Sequence, residues 1–292
     1  MSTDNLNRRL FEITKIILTE FKSDTGRKSG SASGFYFTET TKVQTEKEEP
    51  KLEKVEAYWL ITNKHVLFPS YEGKVYFIDK LVFCLRTVAD DHVEWVPIEI
   101  RRDEIIRRTK LHVQDSVDVV AIDVTDFINH IEQAYAGKNI VIPQSLTSSN
   151  LPENQPIKIT VTTDVIVASY PKAFYDTVNK YPIVKSGIVA SGWGLYFRGD
   201  PVFEIDAQLF PGSSGGLVLS KPTNIGIIDN QFKWNHIKQY VLLGIYSGEY
   251  KWEEEIQQPN GDKKTEKRSY GLGNVWYSFL IPQIINDGKS IQ

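Results

Sequence analysis

The fold is decided by the stretch Phe210-Pro211-Gly212-Ser213-Ser214-Gly215-Gly216-Leu217-Val218-Leu219, in which two serines lie among glycines directly before an apolar run. Glycine adopts backbone conformations that other residues avoid, and it lets a second backbone approach closely. A serine hydroxyl that attacks a carbonyl needs such a setting, because nearby N–H groups must receive the charge that develops on oxygen. The same residues would also suit a flexible loop or a tight turn. The rest of the sequence must therefore supply a base and an orienting acid.

Composition limits the class of protein. The chain has 292 residues, of which 41% are hydrophobic, and a net charge of -3, which is unlike the basic footprint of a nucleic-acid-binding protein. The only cysteine, Cys84, lies in an apolar run and excludes an internal disulfide, as is typical of a reducing cytoplasm. The first residues lack a signal peptide, and no apolar run approaches the ~20 residues of a membrane helix. We expect a soluble cytoplasmic protein without a nucleic-acid or membrane partner, and we predict no cofactor or metal site.

The segmentation of the chain indicates mainly β structure. Residues 4–22 are predicted to form an amphipathic helix, because apolar residues recur there at helical spacing, at Leu6, Leu10, Ile13, Ile17 and Phe21. After Gly26, short β-branched and aromatic segments alternate with turn residues, which is typical of an all-β sandwich or barrel. Two charged stretches, residues 39–56 and 249–269, are interpreted as solvated hairpin tips between strands.

A base and an acid can both be proposed at strand ends. Of the five histidines, only His65 follows a marked apolar strand, residues 59–61, although a purely structural histidine would fit there equally well. Asp118 stands at the start of a second apolar strand, residues 119–122. Its carboxylate could orient an imidazole by accepting the ring N–H. Asp115 and Asp123 are rivals for this role, since both lie near the same strand.

The order His65, Asp118, Ser214, with separations of 53 and 96 residues, resembles that of the chymotrypsin-like serine proteases. Local segments resemble the high-temperature-requirement branch of that family, in the same order along the chain: Thr62-Asn63-Lys64-His65-Val66, Asp118-Val119-Val120-Ala121-Ile122, Ser186-Gly187-Ile188-Val189-Ala190-Ser191, Asp206-Ala207 with Pro211-Gly212-Ser213-Ser214-Gly215-Gly216, and Phe279-Leu280-Ile281-Pro282. Ala168-Ser169-Tyr170-Pro171 resembles a turn of related bacterial trypsin-like peptidases. The resemblance covers roughly residues 28–285.

The resemblance implies an all-β fold of two six-stranded antiparallel barrels, roughly residues 28–145 and 146–285. The predicted helix and a linker, in residues 1–27, would precede these barrels as an addition to the family's fold, and a short tail would follow them. It also implies a serine endopeptidase that acts on protein or peptide substrates. His65 would be the base, Asp118 its orienting acid and Ser214 the nucleophile, and the N–H groups of Gly212 and Ser214 would form the oxyanion hole. Substrate would contact Gln208, Tyr246, Ser247, Gly248 and the segment 271–274.

Two departures from the family concern control of activity. Digestive members carry an aspartate before the nucleophile that pairs with a newly cleaved N-terminus, whereas this chain has Ser213 there and no Ile-Val-Gly-Gly start. We therefore expect no activation by N-terminal cleavage. We expect no PDZ domain after the last strand, and we expect restraint by a regulatory protein partner, because an unrestrained cytoplasmic protease would be hazardous. Gln208 is not a carboxylate, which favours a small or medium uncharged residue before the cleaved bond, and Tyr246 could instead fill the pocket.

Overall fold

The computed structural model describes residues 6–42, 53–89, 92–134, 144–228, 231–257 and 263–291. These ranges contain the helices α1 (Leu6–Ile13), α2 (Lys64–Leu67), α3 (Arg102–Arg108), α4 (Thr125–Ala134) and α5 (Leu280–Asp287). Short 3₁₀ turns lie at Ser148–Asn150, Pro152–Asn154 and Pro171–Ala173. The strands are β1 (Thr14–Ser23), β2 (Gly26–Lys42), β3 (Glu53–Thr62), β4 (Ser70–Tyr71), β5 (Lys74–Val75), β6 (Lys80–Ala89), β7 (His92–Arg101), β8 (Thr109–Leu111), β9 (Val120–Asp123), β10 (Asp164–Ser169), β11 (Ile183–Val189), β12 (Val202–Asp206), β13 (Gly216–Ser220), β14 (Thr223–Ile228), β15 (Gln231–Gln239), β16 (Leu242–Gln257), β17 (Lys263–Tyr277) and β18 (Lys289–Ser290).

The N-terminal half differs from the predicted six-stranded barrel. Over the described residues it is an eight-stranded antiparallel sheet with the order β18-β8-β9-β3-β2-β1-β6-β7, and its two ends are β18 and β7. Two of these strands lie outside the predicted range 28–145, because β1 precedes it and β18 returns from the C-terminus to pair with β8. In the sheet, β1 lies between β2 and β6, and β18 forms one edge.

The predicted N-terminal helix is wrong over most of its length. The helix α1 ends at Ile13, and residues 14–22, which were expected to continue it, belong to β1 (Thr14–Ser23). β1 pairs with β2 along its whole length, from Thr14 opposite Phe35 to Ser23 opposite Gly26. The segment contains β-branched Thr14, Ile16, Ile17 and Thr19, and such side chains favour a pleated sheet over a helix.

The C-terminal half is one closed barrel of six strands, as predicted for residues 146–285. Its order is β10-β11-β12-β17-β16-β13, and all its pairs are antiparallel. The interior is filled by alternate side chains of these strands, including Val167, Phe203, Val218 and Leu243, all of them fully buried. The β16–β17 hairpin extends out to Gln257 opposite Lys263, while the predicted tip at residues 259–262 lies outside the described residues.

A shared apolar cluster joins the two halves. It contains Phe35 and Ile61 of the N-terminal sheet together with Leu217 and Ile245 of the barrel, each 0% exposed. The start of β13, the end of β3 and the start of β9 therefore meet across one packed interface, and the candidate site lies there. The charged run at residues 46–51 lies outside the described residues. None of the described helices combines the length and the apolar character that crossing a bilayer requires.

Candidate active site

His65 is held by Asp118 through two hydrogen bonds. The chain leaves β3 at Thr62 and turns into the single helical turn α2, which carries His65. One carboxylate oxygen of Asp118 accepts the main-chain N–H of His65 at 2.8 Å, and the other lies 2.7 Å from its ring Nδ1. The imidazole side chain is 46% exposed. The acid thus fixes both the backbone and the ring of the histidine, while Nε2 is left for a substrate or a nucleophile.

Asp118 is the acid that the structure brings to His65. It lies between the fully buried Val117 and Val119, and its main-chain carbonyl accepts the side-chain N–H of Asn63 at 2.7 Å. The two rivals lie elsewhere: Asp115 forms an ion pair with Lys289, and Asp123 accepts the N–H of Thr125 beyond the strand.

Ser214 joins this pair through Ser247. The Ser247 hydroxyl donates to Asp118 Oδ2 at 2.7 Å, and the Ser247 carbonyl accepts the Ser214 hydroxyl at 3.1 Å. The sequence analysis assigned Ser247 only to substrate binding, so its contact with the acid is new. In this conformation the Ser214 hydroxyl donates to the Ser247 carbonyl and not to the His65 ring.

Asn63 and Gly215 fix the nucleophile loop. The Gly215 N–H donates both to the Tyr246 carbonyl at 2.8 Å and to Asn63 Oδ1 at 2.5 Å. Gly215 has φ +79°, and a Cβ there would lie 2.0 Å from the Ser33 carbonyl oxygen, so only glycine fits. Asn63, which is fully buried, therefore bonds to the acid segment and to the nucleophile loop at the same time. It lies within the quoted histidine motif, but the motif gave it no role.

The segment 211–214, which we call the oxyanion loop after its predicted role, is oriented from the neighbouring turn. The Pro211 carbonyl accepts the Lys172 N–H at 2.6 Å, and Gly212 has φ +91°. The C=O and N–H of a trans peptide point in opposite directions, so the Gly212 N–H points away from Lys172. Within the described ranges, neither this N–H nor that of Ser214 has an acceptor. Both donors are consequently available to an external oxygen.

Ser33 of the N-terminal sheet fastens the same loop. Its hydroxyl donates to the Gly212 carbonyl at 2.9 Å and accepts the Tyr170 N–H at 2.9 Å. Its main-chain N–H donates to the Ser214 carbonyl at 2.8 Å. The sequence analysis missed Ser33, because nothing in its local sequence distinguishes it from any other serine at the start of an apolar strand.

Ser213 occupies a closed, neutral environment. Its side chain is 0% exposed, and its hydroxyl accepts a hydrogen bond from the Ser169 hydroxyl at 3.1 Å. A carboxylate at this position would need a cationic partner, whereas the hydroxyl pair satisfies itself. The loop is thus held without the charge that an N-terminal amine would neutralise.

The predicted pocket residues are divided between surface and core. Gln208 and Gly248 are accessible, but Tyr246 is only 2% exposed and belongs to the core of the barrel. Its ring lies against Gly273, where a Cβ would come within 2.8 Å of ring atom Cε2. Burial raises the pKa of the Tyr246 hydroxyl well above its usual range. The tyrosine ring therefore lies in the barrel core against β17, on the two strands to which the resemblance assigns the specificity pocket.

Two further features concern metal-ligand clusters and surface depressions among the described residues. No group of three or more His, Cys, Asp or Glu side chains is arranged to hold a metal ion in this part of the chain. A depression of about 310 Å³ lies on the N-terminal sheet, and its lining contains none of the candidate site residues.

Comparisons with known proteins give no family assignment. No protein-family model matches the chain, and no curated protein matches it. Similar solved structures include the protease Anisep from Arthrobacter nicotinovorans (12% identity, 94% of each chain, TM-score 0.46) and the thermostable serine protease AL20 from an extremophilic microorganism (12% identity, 92% of this chain and 94% of that one, TM-score 0.39). A third is the scabies mite inactivated protease paralogue S-I1 (12% identity, 96% and 97%, TM-score 0.42). At TM-scores below 0.5, these similarities establish neither the fold nor the function of this chain.

Proposed function

We propose that this chain is a serine endopeptidase that cleaves peptide bonds through His65, Asp118 and Ser214 by way of an acyl-enzyme. The observation that carries the proposal is the continuous hydrogen-bonded path from Ser214 through Ser247 to Asp118 and His65. Three segments far apart in the sequence supply a nucleophile, a base and an orienting acid to one place. A structural role for the histidine alone would not require the hydroxyl and the glycine loop beside it.

The proposed reaction uses only groups of this site. His65 takes the proton of the Ser214 hydroxyl as its oxygen attacks the scissile carbonyl, and Asp118 stabilises the imidazolium. The N–H groups of Gly212 and Ser214 receive the oxyanion, and the loss of one such donor typically costs about 10²–10³ in rate. His65 then protonates the leaving amine. Water, deprotonated by the same histidine, hydrolyses the acyl-enzyme and regenerates the Ser214 hydroxyl.

The proposed substrate is a polypeptide with a small residue before the cleaved bond. The buried ring of Tyr246 supports this preference, because it takes up space that a larger substrate side chain would need. Gln208, which is exposed, offers an uncharged side chain and no carboxylate for lysine or arginine. Of the two alternatives considered from the sequence, this proposal adopts the one in which Tyr246 fills the pocket.

We also propose that activity is restrained by a protein partner in the cytoplasm and does not depend on N-terminal processing. The neutral Ser213–Ser169 pair supports the second part, since it leaves no buried carboxylate for a new amine to neutralise. The single cysteine is in keeping with a reducing compartment. Activity of the purified chain that equals its activity in the cell would contradict the restraint.

The alternative function is a catalytically latent binding or regulatory module. One observation favours it: the Ser214 hydroxyl donates to the Ser247 carbonyl and not to an imidazole nitrogen. Catalytic hydrogen bonds are often loose before substrate binds, so this geometry is compatible with either function. The two functions differ in whether Ser214 reacts with an electrophile.

Fluorophosphonate labelling tests the proposal, with mass spectrometry to locate the adduct. We expect wild type to be labelled on Ser214 and Ser214→Ala to be unlabelled while keeping its fold. The adjacent serine offers a matched control, because Ser213→Ala removes a hydroxyl one residue away and should leave labelling at Ser214. Labelling that persists in Ser214→Ala would overturn the assignment. A folded wild type that takes no label would support the latent module.

A further inference from the structure

Two ammonium groups flank one exposed aromatic ring beside the oxyanion loop. The Nζ atoms of Lys172 and Lys185 lie 5.7 and 4.9 Å from the centroid of the Phe210 ring. The Phe210 side chain is 41% exposed. Phe174, at the end of the turn that follows β10, is 70% exposed. The face of an aromatic ring attracts each cation, but the two like charges repel each other. We call Lys172, Lys185 and Phe210 the basic face.

The lysines of the basic face have no acidic partner in the part of the chain that the structure describes. The nearest acid in the sequence is Asp176, whose carboxylate is already occupied by the N–H groups of Val178 and Asn179. The whole chain carries a net charge of -3, so this local excess of positive charge runs against the overall balance. An anion placed between the two ammonium groups would remove their mutual repulsion.

The position of the basic face relative to Ser214 follows from the strand order. Ser214 precedes β13, which lies between β16 on one side and β10 on the other. Ser247 of β16 contacts Ser214 directly, whereas Lys172 follows β10 and donates its N–H to Pro211. The basic face therefore lies on the flank of the nucleophile opposite the β16 edge. A polypeptide that contacts Ser247 and Gly248 before its cleaved bond leaves the site over this flank.

We propose that the basic face binds an acidic and apolar segment of the substrate polypeptide on the leaving-group side of the cleaved bond. The lysines would pair with aspartate or glutamate side chains, and the Phe210 ring would pack against an apolar neighbour. This inference rests on the proposed endopeptidase function for the direction of the substrate. The recognition itself depends only on charge and exposed aromatic surface, so it can be measured without turnover.

A binding experiment tests the recognition in Ser214→Ala. The probe is a fluorescein-labelled octapeptide of alternating aspartate and leucine, and its match carries asparagine in place of aspartate. We expect the aspartate peptide to bind more tightly, and the double variant Lys172→Gln/Lys185→Gln to reduce its affinity roughly 3- to 10-fold. Salt should weaken the preference, because these charges are exposed.

The control variant is Lys221→Gln, which removes a lysine at the far end of β13, where it pairs with Asp164. We expect it to leave the affinity unchanged. Equal affinity for the two peptides, or equal losses in the control and the double variant, would overturn the proposal. Tighter binding of a single-stranded oligonucleotide of the same charge would also overturn it, since the face would then select a nucleic acid.

A kinetic experiment separates this inference from the proposed function. Two internally quenched peptides share the sequence before the cleaved bond and differ only in aspartate or asparagine after it, while a chromogenic amide has no leaving-side residues. We expect Lys185→Gln to lower kcat/KM for the aspartate peptide alone. Cleavage of all three substrates without this selectivity overturns the inference and leaves the endopeptidase intact. A wild type that binds the acidic peptide but neither cleaves nor takes up fluorophosphonate overturns the endopeptidase instead.

Discussion

Glu204 leads to a measurable prediction about the stability of the barrel. It lies on β12 opposite Asn274 of β17, and its side chain is only 1% exposed. Neither carboxyl oxygen has a hydrogen-bond partner in the described part of the chain, and the same holds for Asn274 Oδ1 and Trp276 Nε1. A buried carboxylate without partners is costly, so this group resists ionisation.

Burial raises the pKa of Glu204 from 4.5 to about 7, and the positive charge of Arg198 offsets the effect only in part. The unfolded chain releases this proton above about pH 4.5, whereas the folded chain keeps it until about pH 7. Between these values the folded state binds more protons than the unfolded state, so stability falls as the pH rises. The loss is absent below pH 4.5 and complete above pH 7.

The substitution Glu204→Gln removes the ionisation and keeps the size and shape of the side chain. The interval from 4.5 to about 7, at about 1.4 kcal/mol for each pH unit, corresponds to about 3 kcal/mol. We therefore expect the variant to be more stable than wild type by up to about 3 kcal/mol at pH 8. The difference should shrink toward zero as the pH approaches 4.5.

Urea unfolding at a series of pH values measures this difference, provided that the slope with urea is the same for both proteins. Glu255→Gln is the matched control, because Glu255 lies exposed on β16 and pairs with Lys263 at the surface. It should change stability little and without the same pH dependence. An equal difference between Glu204→Gln and wild type at pH 5 and pH 8 would refute the reasoning.

Three further predictions concern the site itself. Gly215→Ala should destabilise the fold by at least about 2 kcal/mol in urea unfolding, because its Cβ meets the Ser33 carbonyl oxygen, whereas Gly248→Ala, with nothing within 4 Å, should cost little. Ser33→Ala removes one hydrogen bond to the Gly212 carbonyl of the oxyanion loop and one to the Tyr170 N–H of the neighbouring turn, so we expect a loss of about 1–3 kcal/mol and slower fluorophosphonate labelling; an unchanged labelling rate would contradict this. Tyr246→Val should raise kcat/KM for a large apolar residue relative to alanine before the cleaved bond by roughly 10-fold or more, and an unchanged ratio would show that the ring does not limit the pocket.

The C-terminal barrel could be predicted because its strands have clear local signals. Short β-branched runs such as β10 and β13 end at turn residues, and the pattern needs no knowledge of distant contacts. The prediction for β1 was wrong because its local signal indicated a helix. Ile13, Ile17 and Phe21 recur at helical spacing, yet in the sheet Ile13 ends a helix and the other two are core residues of a strand. Pairing with β2 outweighed the helical periodicity.

The three proposed catalytic residues were predicted from the sequence because each follows or precedes an apolar strand and because their order resembles that of a known family, and their roles stay predictions. The choice among acids could not be made from the residues alone. Asp115, Asp118 and Asp123 all lie near β9, and the sequence left the rivals open. The structure distinguishes them by contacts: only Asp118 reaches His65, while Lys289 and Thr125 occupy the other two.

The supporting contacts lay beyond reach of the sequence, because each joins segments that local patterns cannot relate. Ser33 and Gly212 are 179 positions apart, and Asn63 and Gly215 are 152 positions apart. In both pairs the first residue lies in the N-terminal half, Ser33 on β2 and Asn63 directly after β3, and the second lies in the loop of Ser214. The geometry around Ser214 is therefore a property of the interface between the halves, and not of the glycine-rich stretch itself. A polar residue buried at that interface can be recognised only after the strands that carry it are paired.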